Sequence, residues 1–143
     1  MTTASFQKVT IGGRARLSVQ QAWDIWTSPS HITKWNAAQP EWHSPSATND
    51  LRPGGEFNFR MEARDGSMGF DFSGVYDDVI PEKHLAYTLG DGRKVTVDFI
   101  EREGQVEIIE TFDAETENPV DFQQQGWQAI LDSFIQYAES QTS

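Results

Sequence analysis

Residues 57–62 read Phe57-Asn58-Phe59-Arg60-Met61-Glu62, and residues 70–76 read Phe70-Asp71-Phe72-Ser73-Gly74-Val75-Tyr76, with Asp65-Gly66 between them. Apolar and polar side chains alternate with period two, which marks strands buried on one face. Asp-Gly is a strong hairpin signal. The middle of the chain is therefore read as two half-buried strands joined by a tight turn. Phe57, Phe59 and Met61 share an inner face with Phe70, Phe72, Gly74 and Tyr76.

The same grammar continues outward. Pro81-Glu82-Lys83 turns the chain into Leu85, Tyr87 and Leu89; Asp91-Gly92 turns it into Val95, Val97 and Phe99; Glu103-Gly104 turns it into Val106, Ile108, Glu110 and Phe112. Turns this short demand antiparallel pairing, because parallel strands need a crossover of a dozen or more residues. Upstream, the turn Leu51-Arg-Pro-Gly-Gly55 follows a strand over Trp42–Thr48. A first strand spans Phe6–Arg16, interrupted at Gly12-Gly13. Seven strands result.

Three helices complete the chain. Ser18 and Gln21 form a capping-box pattern ahead of Val19, Ala22, Trp23 and Trp26, which recur at helical spacing. Pro29, after Ser28 as cap, opens a second short helix to Lys34 that ends near Trp35-Asn36. At the C-terminus, Asn118 reads as a cap and Pro119 as the first helical residue. Val120, Trp127, Ile130, Leu131, Phe134 and Ala138 then mark a helix from about Pro119 to Ser140, ~30 Å long at 1.5 Å per residue.

The 143 residues fit one domain, with a core over about 6–140. Nine Phe, five Trp and three Tyr supply more apolar area than a minimal core requires. The net charge of −11, with Arg93-Lys94 as the longest basic run, argues against nucleic acid and anionic membranes as partners. There is no cysteine, which removes disulfides, thiolate metal sites and cysteine nucleophiles. No stretch approaches the ~18 apolar residues of a membrane span. The first eight residues lack the basic and apolar regions of a signal peptide, so a cytoplasmic location is expected.

This order of elements resembles the α+β helix-grip fold, also called START-like or SRPBCC, which the birch-pollen allergens share. Particular segments resemble the family named for the activator of the heat-shock-protein-90 ATPase. They are Ala22-Trp23-Asp-Ile-Trp26-Thr-Ser-Pro29 with Ile32-Thr-Lys-Trp35, Leu51-Arg-Pro-Gly-Gly-Glu-Phe57, Phe72-Ser-Gly-Val-Tyr76, and Gly126-Trp127 with Leu131. Glu110-Thr-Phe-Asp-Ala-Glu115 is similar to a polyketide-cyclase-like subgroup. The resemblance implies a curved sheet gripping the terminal helix, and it brings no catalytic triad, metal set or cofactor.

The candidate site is the space between sheet and helix. Phe57, Phe59, Met61, Phe70, Phe72, Tyr76, Tyr87, Val97, Phe99, Ile108 and Phe112 point inward from the sheet, Trp127, Ile130 and Phe134 from the helix, and Trp23, Trp26 and Trp35 close one end. Such residues either fill a core or line a cavity. Gly74 and Gly126 likewise either leave room for a ligand or let helix and sheet approach closely. Glu110 shares parity with Val106, Ile108 and Phe112, so its carboxyl points inward, where it must be paired, hydrogen-bonded or protonated. Gln123, one turn before Trp127, is its expected helix neighbour at a ligand. His31, His43 and His84 show no ligand spacing, although Glu41 and His43 would share a strand face. Asp77-Asp78 and the run Asp113–Glu117 read as solvated loops.

Three functions fit these features. The first is a carrier or sensor of a small hydrophobic or aromatic molecule. The second is a cyclase or hydratase in which Glu110 or Tyr76 transfers a proton. The third is a protein-interaction role of the kind the family name describes.

Overall fold

The computed structural model describes residues 6–37 and 40–141; the reading of the N-terminal segment falls largely on residues 1–5, outside that range. The elements run β1 (Lys8–Ala15), α1 (Val19–Thr27), α2 (Pro29–Trp35), β2 (Trp42–Asn49), β3 (Glu56–Ala63), β4 (Gly69–Ile80), β5 (His84–Leu89), β6 (Lys94–Arg102), β7 (Gln105–Asp113) and α3 (Val120–Gln141). The strands form a single antiparallel sheet in the order β1-β7-β6-β5-β4-β3-β2, a meander to which β1 returns beside β7. The curved sheet wraps α3, as the α+β helix-grip reading expects.

Local chemistry explains most boundaries. Ser18 Oγ accepts from the Gln21 backbone N–H at 3.1 Å and Gln21 Oε1 accepts from the Ser18 N–H at 3.0 Å, so the capping box forms. Ser28 occupies the N-cap of α2 without a side-chain bond, and Pro29 sits at the first turn. Gly66, Gly92 and Gly104 adopt positive φ in the hairpin turns, conformations that L side chains avoid.

Three expectations need correction. β1 runs unbroken through Gly12-Gly13, which pair with Ile109 and Ile108. A Cβ on Gly13 would lie 2.5 Å from Ile135 Cδ1, so these glycines mark close approach of α3 rather than a break. The start of α3 shifts by one residue: the Pro119 carbonyl accepts the Gln123 N–H, which places Val120 first in the helix. Glu41 precedes β2 instead of sharing its face with His43.

Two irregularities shape the sheet. β2 slips register between His43 and Ser46. β4 carries a bulge between Tyr76 and Asp78, after which Val79 packs on the core while Ile80 stays exposed. Phe112, Phe134, Ile108, Leu131, Val97 and Val106 are completely buried and form the densest part of the core.

Candidate functional site

Two aromatic groups face one another across the interior. From the helices, Trp26 lies 4.9 Å from Trp35 and 4.8 Å from Phe134, and Trp23 and Trp26 both meet the edge of Phe99. From the sheet, Phe57 contacts Phe59, Phe72, Tyr76 and Tyr87 at centroid distances of 4.9–5.9 Å. Trp127 stacks on Phe112 at 4.1 Å and meets Phe72 edge-on at 6.0 Å. The groups do not close completely, and a cavity of about 260 Å³ remains between them.

Its walls are Trp26, Trp35, Phe57, Phe59, Met61, Phe70, Phe72, Tyr76, Tyr87, Glu110, Trp127 and Ile130, together with Asn36 and Arg93. The structure thus brings together twelve of the side chains singled out in the sequence. Trp23, Val97, Phe99, Ile108, Phe112 and Phe134 instead lie behind the wall as buried core. Phe70 lines the cavity while 49% exposed, which puts it at an opening, and Trp42 packs against it at 6.0 Å.

The glycines divide. Gly74 pairs with Phe57, whose ring would sit 2.9 Å from an added Cβ, so that face is roofed by the ring. Gly126 meets nothing within 4 Å, and the helix there faces open space.

Gln123 does not reach the cavity. Its Oε1 accepts from the Glu115 N–H at 2.8 Å, and its Nε2 donates to the carbonyls of Glu115 and Asn118 at 3.0 and 2.8 Å. The amide is fully used in holding the loop before α3, which corrects its expected role beside Glu110.

Glu110 is the unusual group. It pairs with Ile11 of the edge strand β1 on one side and Val97 of β6 on the other, and only 5% of its surface is exposed. No described residue hydrogen-bonds its carboxyl. Burial pushes that carboxyl up to about 8 from an ordinary 4.5, so it is mostly protonated at neutral pH. Tyr87, also on the wall, has no hydrogen-bond partner for its hydroxyl among the described residues. Burial raises it well above the ordinary range, and Glu110 and Tyr76 add to the effect.

Several other polar groups of the wall are engaged. Tyr76 donates to Asn49 Oδ1 at 2.7 Å, Asn36 Nδ2 lies 3.3 Å from Met61 Sδ, and Arg93 Nε donates to Asp91 at 2.7 Å. Arg93 was overlooked in the sequence although it shares parity with Val95 and Val97; Asn36, at the end of α2, carried no such signal.

The histidines stay apart: His31 meets Tyr137, His43 lies 4.0 Å from Glu62, and His84 bonds Asp98. Among the described residues no three His, Asp or Glu side chains are grouped to hold a metal, and no helix is long and apolar enough to cross a membrane.

A curved seven-strand sheet closed over a long terminal helix defines a START-like, or SRPBCC, domain. Within that class, the chain belongs to the family described as Activator of Hsp90 ATPase homolog 1-like protein, whose profile matches residues 16–139. It is similar to the AHSA1-like protein from Aeromonas hydrophila, solved by NMR. The two are 40% identical, with 95% of this chain and 94% of that one covered and a TM-score of 0.90. The solution structure of Chr148 from Cytophaga hutchinsonii is 47% identical, covers 94% of each chain and has a TM-score of 0.81. NE0264 from Nitrosomonas europaea shares the fold at 20% identity, covering 94% of this chain and 95% of that one, with a TM-score of 0.80. No curated protein matches the chain.

Proposed function

We propose that this protein binds a small, largely aromatic or apolar molecule between its sheet and its terminal helix, as a carrier or sensor. The observation that carries this reading is a cavity of about 260 Å³, walled by aromatic rings, into which one buried carboxyl projects without a protein partner. No side-chain polar atom among the described residues is both fully buried and unpartnered, so the carboxyl reaches the cavity space and can hydrogen-bond what occupies it. An occupant that supplies that hydrogen bond gains apolar contact with the rings as well. The volume lies just below the roughly 300–1,000 Å³ of drug-sized sites, which suits a molecule of one or two rings.

The test uses the wall itself as reporter, since Trp26, Trp35 and Trp127 all line the cavity. A panel of one- and two-ring compounds should include members that quench tryptophan emission saturably. At a hundred times Kd they should stabilise the fold by about 2.7 kcal/mol, a rise of several degrees in Tm. Ile130→Phe, which fills the space, should weaken all of them at least tenfold while leaving Tm within a few degrees. Binding that is indifferent to Ile130→Phe would place the ligand elsewhere and sink the proposal.

A further inference from the structure

Tyr87 on β5 and Glu110 on β7 flank β6, where they pair with Val95 and Val97 respectively. Both therefore rise from the same face of the sheet, two strands apart and offset by two residues. They are the two wall residues whose O–H groups find no hydrogen bond among the described residues; the Tyr76 hydroxyl donates to Asn49, Asn36 engages only its Nδ2 and Arg93 only its Nε. A phenol and a protonated carboxylic acid each offer an O–H donor. Both oxygens also keep acceptor lone pairs, but neither O–H finds an acceptor among the described residues.

We infer that the occupant, if the cavity is filled as proposed above, is a neutral one- or two-ring molecule bearing an acceptor oxygen, a ketone, aldehyde, quinone or ester carbonyl, held by Tyr87 and Glu110. Aromatic walls around an acid would also suit an organic ammonium ion, through cation–π contact and an ion pair. Two features oppose that choice. Arg93 already brings positive charge to the wall, and an ammonium ion would require Glu110 to ionise where burial keeps it protonated. A phenol beside a neutral carboxylic acid is also a donor set able to hold a carbonyl oxygen as it gains negative charge. Removing a proton from carbon would need a separate base, and among the described residues of the wall there is no second carboxylate and no histidine.

Three probes of nearly the same shape decide the matter: 2-acetonaphthone, 2-isopropenylnaphthalene and 1-(2-naphthyl)ethylamine, each titrated at pH 7 against tryptophan emission. The ketone should bind about tenfold more tightly than the alkene, the worth of a net hydrogen bond, and the amine most weakly. Tyr87→Phe and Glu110→Leu should each erase most of the ketone's advantage, whereas Glu110→Gln, which keeps a neutral donor, should preserve it. Equal binding of ketone and alkene, tightest binding of the amine, or a ketone preference that survives both Tyr87→Phe and Glu110→Leu overturns the inference while leaving the cavity reading intact. Failure of all three probes to bind overturns the cavity reading and this inference with it. Tm of each variant separates lost donors from lost fold.

Discussion

The interior has a sealed side and an open side, and α3 lies along the boundary. On the sealed side its backbone packs close to β1, admitted by Gly13, and Leu131, Phe134 and Ala138 are completely buried. On the other side β3 and β4 curve away, and Phe59, Phe72 and Trp127 reach across incompletely. The two sides use the same residue types. What separates them is backbone distance, set by a glycine pair on one strand and by sheet curvature at the other end. Apolar content alone therefore does not tell a core from a binding site; the approach of the elements does.

The sharpest way to break this contrast is truncation. Phe134→Ala should cost about 3–5 kcal/mol, the range for a buried Phe, measured by urea unfolding. Phe72→Ala, on the half-buried wall, should cost only about 1–2 kcal/mol and admit larger ligands. Similar costs at the two positions would show that the open side is as well packed as the sealed one.

Next in size is a pH effect on the open side alone. Between pH 5 and 8 the folded protein keeps a proton on Glu110 that the unfolded chain has released, because the folded carboxyl titrates at about 8 instead of 4.5. The stability this contributes is complete below the unfolded value and is lost as pH rises through the folded one, at up to about 1.4 kcal/mol per pH unit. Glu110→Gln should remove that slope and unfold later than the parent protein at pH 8, by up to a few kcal/mol. The other titratable groups facing this cavity are Tyr87 from β5, Tyr76 from β4 and Arg93 from the β5–β6 turn; α1, α2 and α3 present uncharged Trp26, Trp35, Trp127 and Ile130. Burial raises both Tyr76 and Tyr87 above the ordinary phenol range, so neither tyrosine should titrate in the same window. A parallel pH profile for Glu110→Gln and parent would remove Glu110 as the source.

Smaller still is a pair of glycine substitutions with opposite signs. Gly74→Ala would drive a methyl into the Thr88 carbonyl at 2.7 Å and the Phe57 ring, costing about 1–3 kcal/mol. Gly126→Ala meets open space in a helix and should stabilise by about 0.5–1 kcal/mol. Thermal denaturation of both suffices, and a destabilising Gly126→Ala would mean that the helix is closely covered there after all.

Much of the fold was written in local pattern. Period-two alternation placed all seven strands, and the turn glycines Gly66, Gly92 and Gly104 behave as their neighbours implied. Parity also carried the inward direction of Glu110, because β7 is regular from Val106 to Phe112. Contacts between distant segments were not legible. Nothing near Gly13 announces that Ile135, 122 residues later, will rest on it, so a close approach reads as a break. Gln123 sits at the right helical spacing, yet the loop carbonyls of Glu115 and Asn118 compete for its amide and win. Phe99 and Phe72 look alike in sequence, and only the sheet's curvature makes one core and the other wall.

The slip in β2 has a consequence for crowding. The sheet does not close into a barrel, so β2 is an outer strand, and a row of unpaired backbone groups there invites the strand of another molecule. The irregularity between His43 and Ser46 divides the pairing positions of β2 into a pair and a run of four, and Pro45 within it has no N–H to give. A second copy arriving at this edge finds no long, evenly spaced ladder to extend. The same small kink that costs the sheet two residues of pairing thus makes the β2 edge a poorer template than β1, the unbroken strand at the other edge.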